Sequence, residues 1–168
     1  MTTPTSADPI MAAIGAAMAE GRAGNTAAAR TRLLSLWEMI GVEGDPLHRC
    51  TLAHHLADLH DDAAEALAWD VRALDAATAL TDRRVQEAGA NLRVAGFAPS
   101  LHLNLADDYR RLGSFAAARE HIEAARERSP ALPDDSYGDL IRRAIGEVAD
   151  AIADRDTAPR ASAPGRVN

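Results

Sequence analysis

Residues Pro99 to Pro130 read PSLHLNLADDYRRLGSFAAAREHIEAARERSP, and their spacing decides the fold. Tyr109 is followed by Leu112 and Gly113, then by Phe115, Ala118, Ile122 and Ala125, with Pro130 closing the stretch. Gly113 permits a tight turn after a first helix, because glycine enters the left-handed region without a Cβ clash. Ala106 and Ala118 are small enough to let two helices approach closely, and Tyr109, Phe115 and Ile122 fill the space between them. Pro130 stops the second helix, since proline cannot continue the hydrogen-bond ladder. The stretch predicts two antiparallel helices pressed together.

This pattern resembles one tetratricopeptide repeat over about residues 99–132, with His102 at a position where the family often has tryptophan. Asn104-Leu105-Ala106 is similar to the Asn-Leu-Ala of kinesin-light-chain-like repeats. A fainter copy covers 46–80, where Leu52, Ala53, Leu56 and Leu59 echo Leu105, Ala106, Tyr109 and Leu112. A third, degenerate copy covers 9–41. Ala53 and Ala106 lie 53 positions apart, longer than the roughly 34 of a simple repeat. Thr81 to Ala98 is therefore an elongated helix or an inserted loop, and Gly89 and Gly96 favour a broken segment.

Working outward, Asp8-Pro9 and Asp45-Pro46 each place a capping carboxylate before a proline at the first helical position, so helices should start there. Ile10 to Gly21 and Thr26 to Ile40 form one hairpin, with Asn25 as a cap. Pro46 to about His60 and Asp62 to about Leu80 form the next, with Asp62 and Glu65 at capping-box spacing. Asp134 to Ala153 carries Leu140, Ile141, Ala144, Ile145, Val148 and Ile152 at helical spacing. It suits a final helix that covers the apolar end of a stack. The expected architecture is all-α: stacked antiparallel hairpins forming a short α-solenoid with a C-terminal capping helix. One domain spans 9–155, between a disordered N-terminus (1–8) and a disordered tail (156–168) rich in proline and small polar residues.

Composition narrows the chemistry. With 47% apolar residues in a chain of 168, one sizeable core is attainable. Aromatic residues make up only 4%, which suits thin helix-on-helix layers better than a sheet. All 18 basic residues are arginine, a bias expected of GC-rich coding, and the absence of lysine excludes Schiff-base, phosphate-loop and serine-lysine chemistries. A net charge of −7 argues against nucleic acid as a partner. No apolar run reaches the roughly 20 residues that span a bilayer, and nothing resembles a secretory signal. The single cysteine, Cys50, cannot form an internal disulfide, so a reducing cytoplasm is the expected setting.

The tetratricopeptide resemblance implies a binding surface, because the first helix of each pair lines the concave side of such a stack. Ser100, Leu103, Asn104, Asp107, Arg110 and Arg111 would face inward in the anchored repeat, with Leu47, Cys50, His54 and Asp58 their counterparts in the preceding one. An asparagine amide can donate to and accept from a peptide backbone, and Arg110 or Arg111 could pair with a carboxylate. Asp107, Asp108, Arg110 and Arg111 also read as an ordinary solvated face, with Asp107 and Arg111 paired one turn apart. The implied activity is that of a non-catalytic adaptor holding a peptide or partner protein without a cofactor. Trp37, Phe97 and the segment 81–98 could instead support a homodimer.

A rival reading uses the histidine-rich helix 46–60. Cys50, His54 and Asp58 lie in line at four-residue intervals and could ligate zinc or another transition metal. No two histidines share that spacing, and no HExxH or GxSxG motif is present.

Overall fold

A computed structural model describes residues 8–88 and 94–161; the expectations for the first seven residues, the last seven and Gly89 lie outside these. The described residues contain eight α-helices and no strand. They are α1 (Pro9–Arg22), α2 (Thr26–Ile40), α3 (Pro46–Asp58), α4 (Ala63–Ala77), α5 (Asp82–Glu87), α6 (Val94–Arg111), α7 (Phe115–Arg128) and α8 (Ser136–Ala153). No helix among the described residues is long and apolar enough to cross a membrane.

The helix starts follow from local chemistry. The Asp8 carboxylate accepts from the amides of Ile10 and Met11, Asp45 from Leu47 and His48, and Asp62 from Ala64 and Glu65. Each satisfies donors that a first helical turn leaves free. Asn25 occupies the cap position of α2 without a side-chain bond. Gly113 turns the chain at φ 76° between α6 and α7, a region costly for residues with a Cβ. Gly138 serves closeness instead: a Cβ there would lie 1.9 Å from the Pro133 carbonyl oxygen, so glycine alone lets α8 start against the preceding turn.

Helices α1/α2, α3/α4 and α6/α7 pair as hairpins. Successive hairpins join where α3 packs on α1 and α2 and where α6 packs on α4, and α8 lies against both α6 and α7. One apolar cluster runs from α1 to the start of α6, including Leu33, Leu52, Leu56 and Trp69. A second fills the space among α6, α7 and α8, where Ala106 and Ala118 are fully buried beside Phe115 and Ile122. Large side chains have no room at these alanines. Ala106→Leu is expected to cost about 2 kcal/mol through overpacking, read as a lower urea midpoint at unchanged slope.

The segment 81–98 is broken as expected, but differently placed. Thr81 caps the short α5, whose Val85 is fully buried. Helix α6 does not begin at Pro99; it begins at Val94, with Pro99 and Gly96 inside it. Pro99 deprives the Ala95 carbonyl of its helical donor, a loss tolerated because it falls near the helix start.

The N-terminal hairpins are also tied by charge. Arg84 of α5 donates through Nη2 to Asp8 (2.8 Å) and through Nε to Asp45 (2.7 Å), while His48 Nε2 stands 2.7 Å from Asp8. Both helix-capping carboxylates thus share one guanidinium. Burial works against their charge, but the bonds from His48 and Arg84 hold Asp8 well below the usual carboxylate range, and Arg84 acts likewise on Asp45.

Candidate functional site

Where α3 and α6 face each other, α8 closes a cleft over them. A cavity of about 270 Å³ is lined by His54 and Asp58 from α3, Ser100, Leu103 and Asn104 from α6, and Ile141 and Ala144 from α8. An adjoining cavity of about 370 Å³, more apolar, shares His54, Ser100 and Tyr137 with the first and adds Cys50, Phe97 and Leu101. At the other end, a small cavity of about 50 Å³ is walled by carboxylates from three helices: Asp58, Asp70, Asp107 and Asp108. Leu140 and Tyr137 of α8 stand 57% and 37% exposed at the mouth.

Asn104 holds the centre. Its amide nitrogen lies 3.4 Å from Asp70 Oδ1 and 3.4 Å from His54 Nδ1, while His54 Nδ1 is 3.7 Å from the same Asp70 oxygen. Burial disfavours a charged His54, but the hydrogen bond it donates to Asp70 and the charges of Asp58 and Asp70 outweigh it and push the imidazole up to about 9. A protonated His54 directs its Nδ1–H at Asp70, and the Asn104 amide donates to that carboxylate too. Asp58, desolvated and near Asp70, is pushed up to about 6 despite the neighbouring His54.

The expected site residues divide in the structure. His54, Asp58, Ser100 and Asn104 line the main cavity, and Cys50 lines only the adjoining one. Cys50 is buried, with its thiol pushed up to about 12 by desolvation and by Asp70. A thiol held neutral in this way is a poor nucleophile and metal ligand. Asp107 and Arg111 line the acidic cavity. Arg110 lines none of these three cavities: it is fully buried and grips Asp107 through Nε (3.0 Å) and Nη2 (2.7 Å). The pair expected between Asp107 and Arg111 is thus made by Arg110, one residue earlier, and Arg111 donates to the Asp61 carbonyl. Among the described residues no three His, Cys, Asp or Glu side chains sit together as a metal would require, Cys50, His54 and Asp58 included. Trp37 packs edge-on against Trp69 at 5.1 Å under the Arg49 guanidinium, and Phe97 leans on the first cluster.

Sequence reasoning missed Asp70 and Asp108, the α8 wall and Arg160. Asp70 falls in line with the buried Ala66 and Ala73, and Asp108 with Leu101 and Leu105. A carboxylate at a core position of an amphipathic helix is the signal that marks them. Arg160 lay within the segment expected to be a disordered tail. The structure places it largely buried against Asp107 and Glu147, with Arg110 donating to the carbonyl of Asp156.

Comparison of the chain with family models, with curated proteins and with solved structures gives no match.

Proposed function

We propose that the chain is a non-catalytic adaptor of tetratricopeptide-like build that holds a peptide, or an extended segment of a partner protein, in the cleft between α3, α6 and α8. One observation carries this reading: the cavity opens between the first helices of successive hairpins, the side that a tetratricopeptide stack offers to its ligands. Its walls combine apolar contact from Leu103, Ile141 and Ala144 with hydrogen-bonding groups from Ser100, Asn104 and His54. That mixture suits a peptide, whose side chains bury apolar surface while its backbone demands donors and acceptors. The exposed Leu140 and Tyr137 at the mouth supply the first apolar contact for an arriving chain.

Panning a displayed random-peptide library on the full-length protein tests the reading. Enriched peptides should bind Leu140→Asp at least tenfold more weakly than wild type, which is about 1.4 kcal/mol. The thermal midpoint should not move, because Leu140 contributes little to the core. A library that enriches nothing, or peptides that bind both proteins equally, would remove the cleft from consideration.

A further inference from the structure

The small acidic cavity gathers four aspartates, with Arg111 and Arg160 also in its wall. Of its four aspartates, Asp107 is gripped by Arg110 and Asp70 faces His54. Asp58 and Asp108 differ. Among the described residues no hydrogen bond reaches the Asp58 carboxylate, and Asp108, only 5% exposed, shares a hydrogen bond with Asp70 but keeps a buried Oδ2 that accepts none. Buried polar atoms are nearly always paired, so an orphaned carboxyl oxygen facing a cavity marks the place of a donor supplied from outside.

The chain itself shows what kind of donor fits. Arg160, carried on the segment that follows α8, lines both the acidic cavity and the main cleft and so stands at their junction. Its guanidinium is held loosely: Nε is 3.5 Å from Asp107 Oδ2 and Nη1 is 3.3 Å from Glu147 Oε2, both at the long end for charge-assisted bonds. It satisfies neither Asp58 nor Asp108 Oδ2. A guanidinium placed deeper could serve both, because its planar fork presents five donors in fixed directions. A metal ion is disfavoured, since no three ligating side chains among the described residues converge.

We propose that this acidic cavity is the specificity pocket for an arginine side chain of the bound peptide, and that Arg160 is an intramolecular stand-in which a ligand arginine displaces. The inference rests on the peptide-binding reading and names the chemistry of its ligand. The neighbouring residues of the ligand would then lie along the apolar part of the cleft, past Leu103 and Ile141.

The test uses full-length protein and two capped, fluorescently labelled peptides. One is Asp-Thr-Ala-Pro-Arg-Ala, the sequence of residues 156–161, and the other carries citrulline, neutral and of nearly the same shape, in place of arginine. By anisotropy, Arg160→Ala should bind the arginine peptide at least tenfold more tightly than wild type does. Citrulline should lower that affinity at least tenfold, and Asp58→Asn added to Arg160→Ala should narrow the gap between the two peptides. Equal binding of both peptides by Arg160→Ala, or binding of neither, overturns the proposal. The citrulline comparison needs no change in the pocket and stands even if Asp58→Asn folds poorly. Selected library peptides that bind wild type, lose affinity with Leu140→Asp and show no preference for arginine would sink the pocket while leaving the adaptor intact.

Discussion

Replacing Arg110 with alanine is expected to lower stability by about 3–5 kcal/mol, the penalty typical of stranding one partner of a buried ion pair. Arg110 is fully buried, and its two bonds to a single Asp107 oxygen are short. Truncation leaves Asp107, itself 8% exposed, as a charge with only the loosely placed Arg160 to meet it. It also removes the donor to the Asp156 carbonyl, so the segment bearing Arg160 comes free. Urea unfolding measures the loss. Arg110→Lys should recover only part of it, because an ammonium cannot reproduce the two-pronged contact. Arg110→Met combined with Asp107→Leu should be far more stable than Arg110→Ala, since removing both charges strands no buried carboxylate. A double variant as unstable as the single one would mean that packing, and not charge, makes Arg110 important.

Asp108→Asn should act in the opposite direction, and increasingly so as pH rises. Burial, then the charge of Asp70 and a hydrogen bond favouring the neutral acid, then Asp107, push Asp108 up to about 9, with Arg111 opposing. The folded chain therefore keeps a proton that the unfolded chain sheds near 3.8, and stability falls as pH rises between those values. Asparagine fills the same space without a charge to desolvate. At pH 9.5 the variant should be the more stable by about 3 kcal/mol, the order of an uncompensated buried charge, and the advantage should shrink as pH falls toward 3.8, where the two should melt together. In both proteins His54, raised to about 9, adds a loss between 6.5 and 9, and Asp58, raised to about 6, adds one between 3.8 and 6. On the acid side, desolvation holds His55 down at about 3 and His102 at about 4, each helped by neighbouring positive or imidazole groups. Their stabilisation is complete above the ordinary 6.5 and fades as pH falls toward those values. Thermal melts of wild type should thus peak in mildly acidic to neutral buffer, with Asp108→Asn flattening the alkaline limb alone. Parallel limbs for the two proteins would show that Asp108 is not the group responsible. The same substitution should weaken binding of the arginine peptide, so the carboxylate that costs stability is the one assigned to recognition.

Much of the architecture was legible because its signals are local. A carboxylate ahead of proline starts α1 and α3, Gly113 turns α6 into α7, and Ala106 opposite Ala118 sets how near those helices lie; each depends on a few adjacent residues. The start of α6 at Val94 was not legible, since Pro99 reads locally as a helix opener and only the packing of Gly96 and Leu101 around it shows otherwise. The site was half legible. Asn104 and His54 sit on the cleft as the tetratricopeptide resemblance implied, and the Asn104 amide finds its partner within the chain, in Asp70. What completes the cavity comes from α8 and from Arg160, and no spacing rule links residue 54 to residue 144 or residue 107 to residue 160. The tetratricopeptide resemblance puts Arg110 on the open side, whereas the structure buries it against Asp107.

The bridge from Arg84 to Asp8 and Asp45 has a consequence for biosynthesis. A growing chain leaves the ribosome N-terminus first, so α1 to α4 emerge while the guanidinium that joins their capping ends is still unmade or inside the exit tunnel. Until residue 84 is free, the first two hairpins are aligned by apolar contact, by His48 against Asp8 and by Arg30 on the Leu59 carbonyl, without the guanidinium that ties Asp8 to Asp45. The final locking of the N-terminal half is therefore a late event, timed by a residue 76 positions downstream of the first carboxylate it secures.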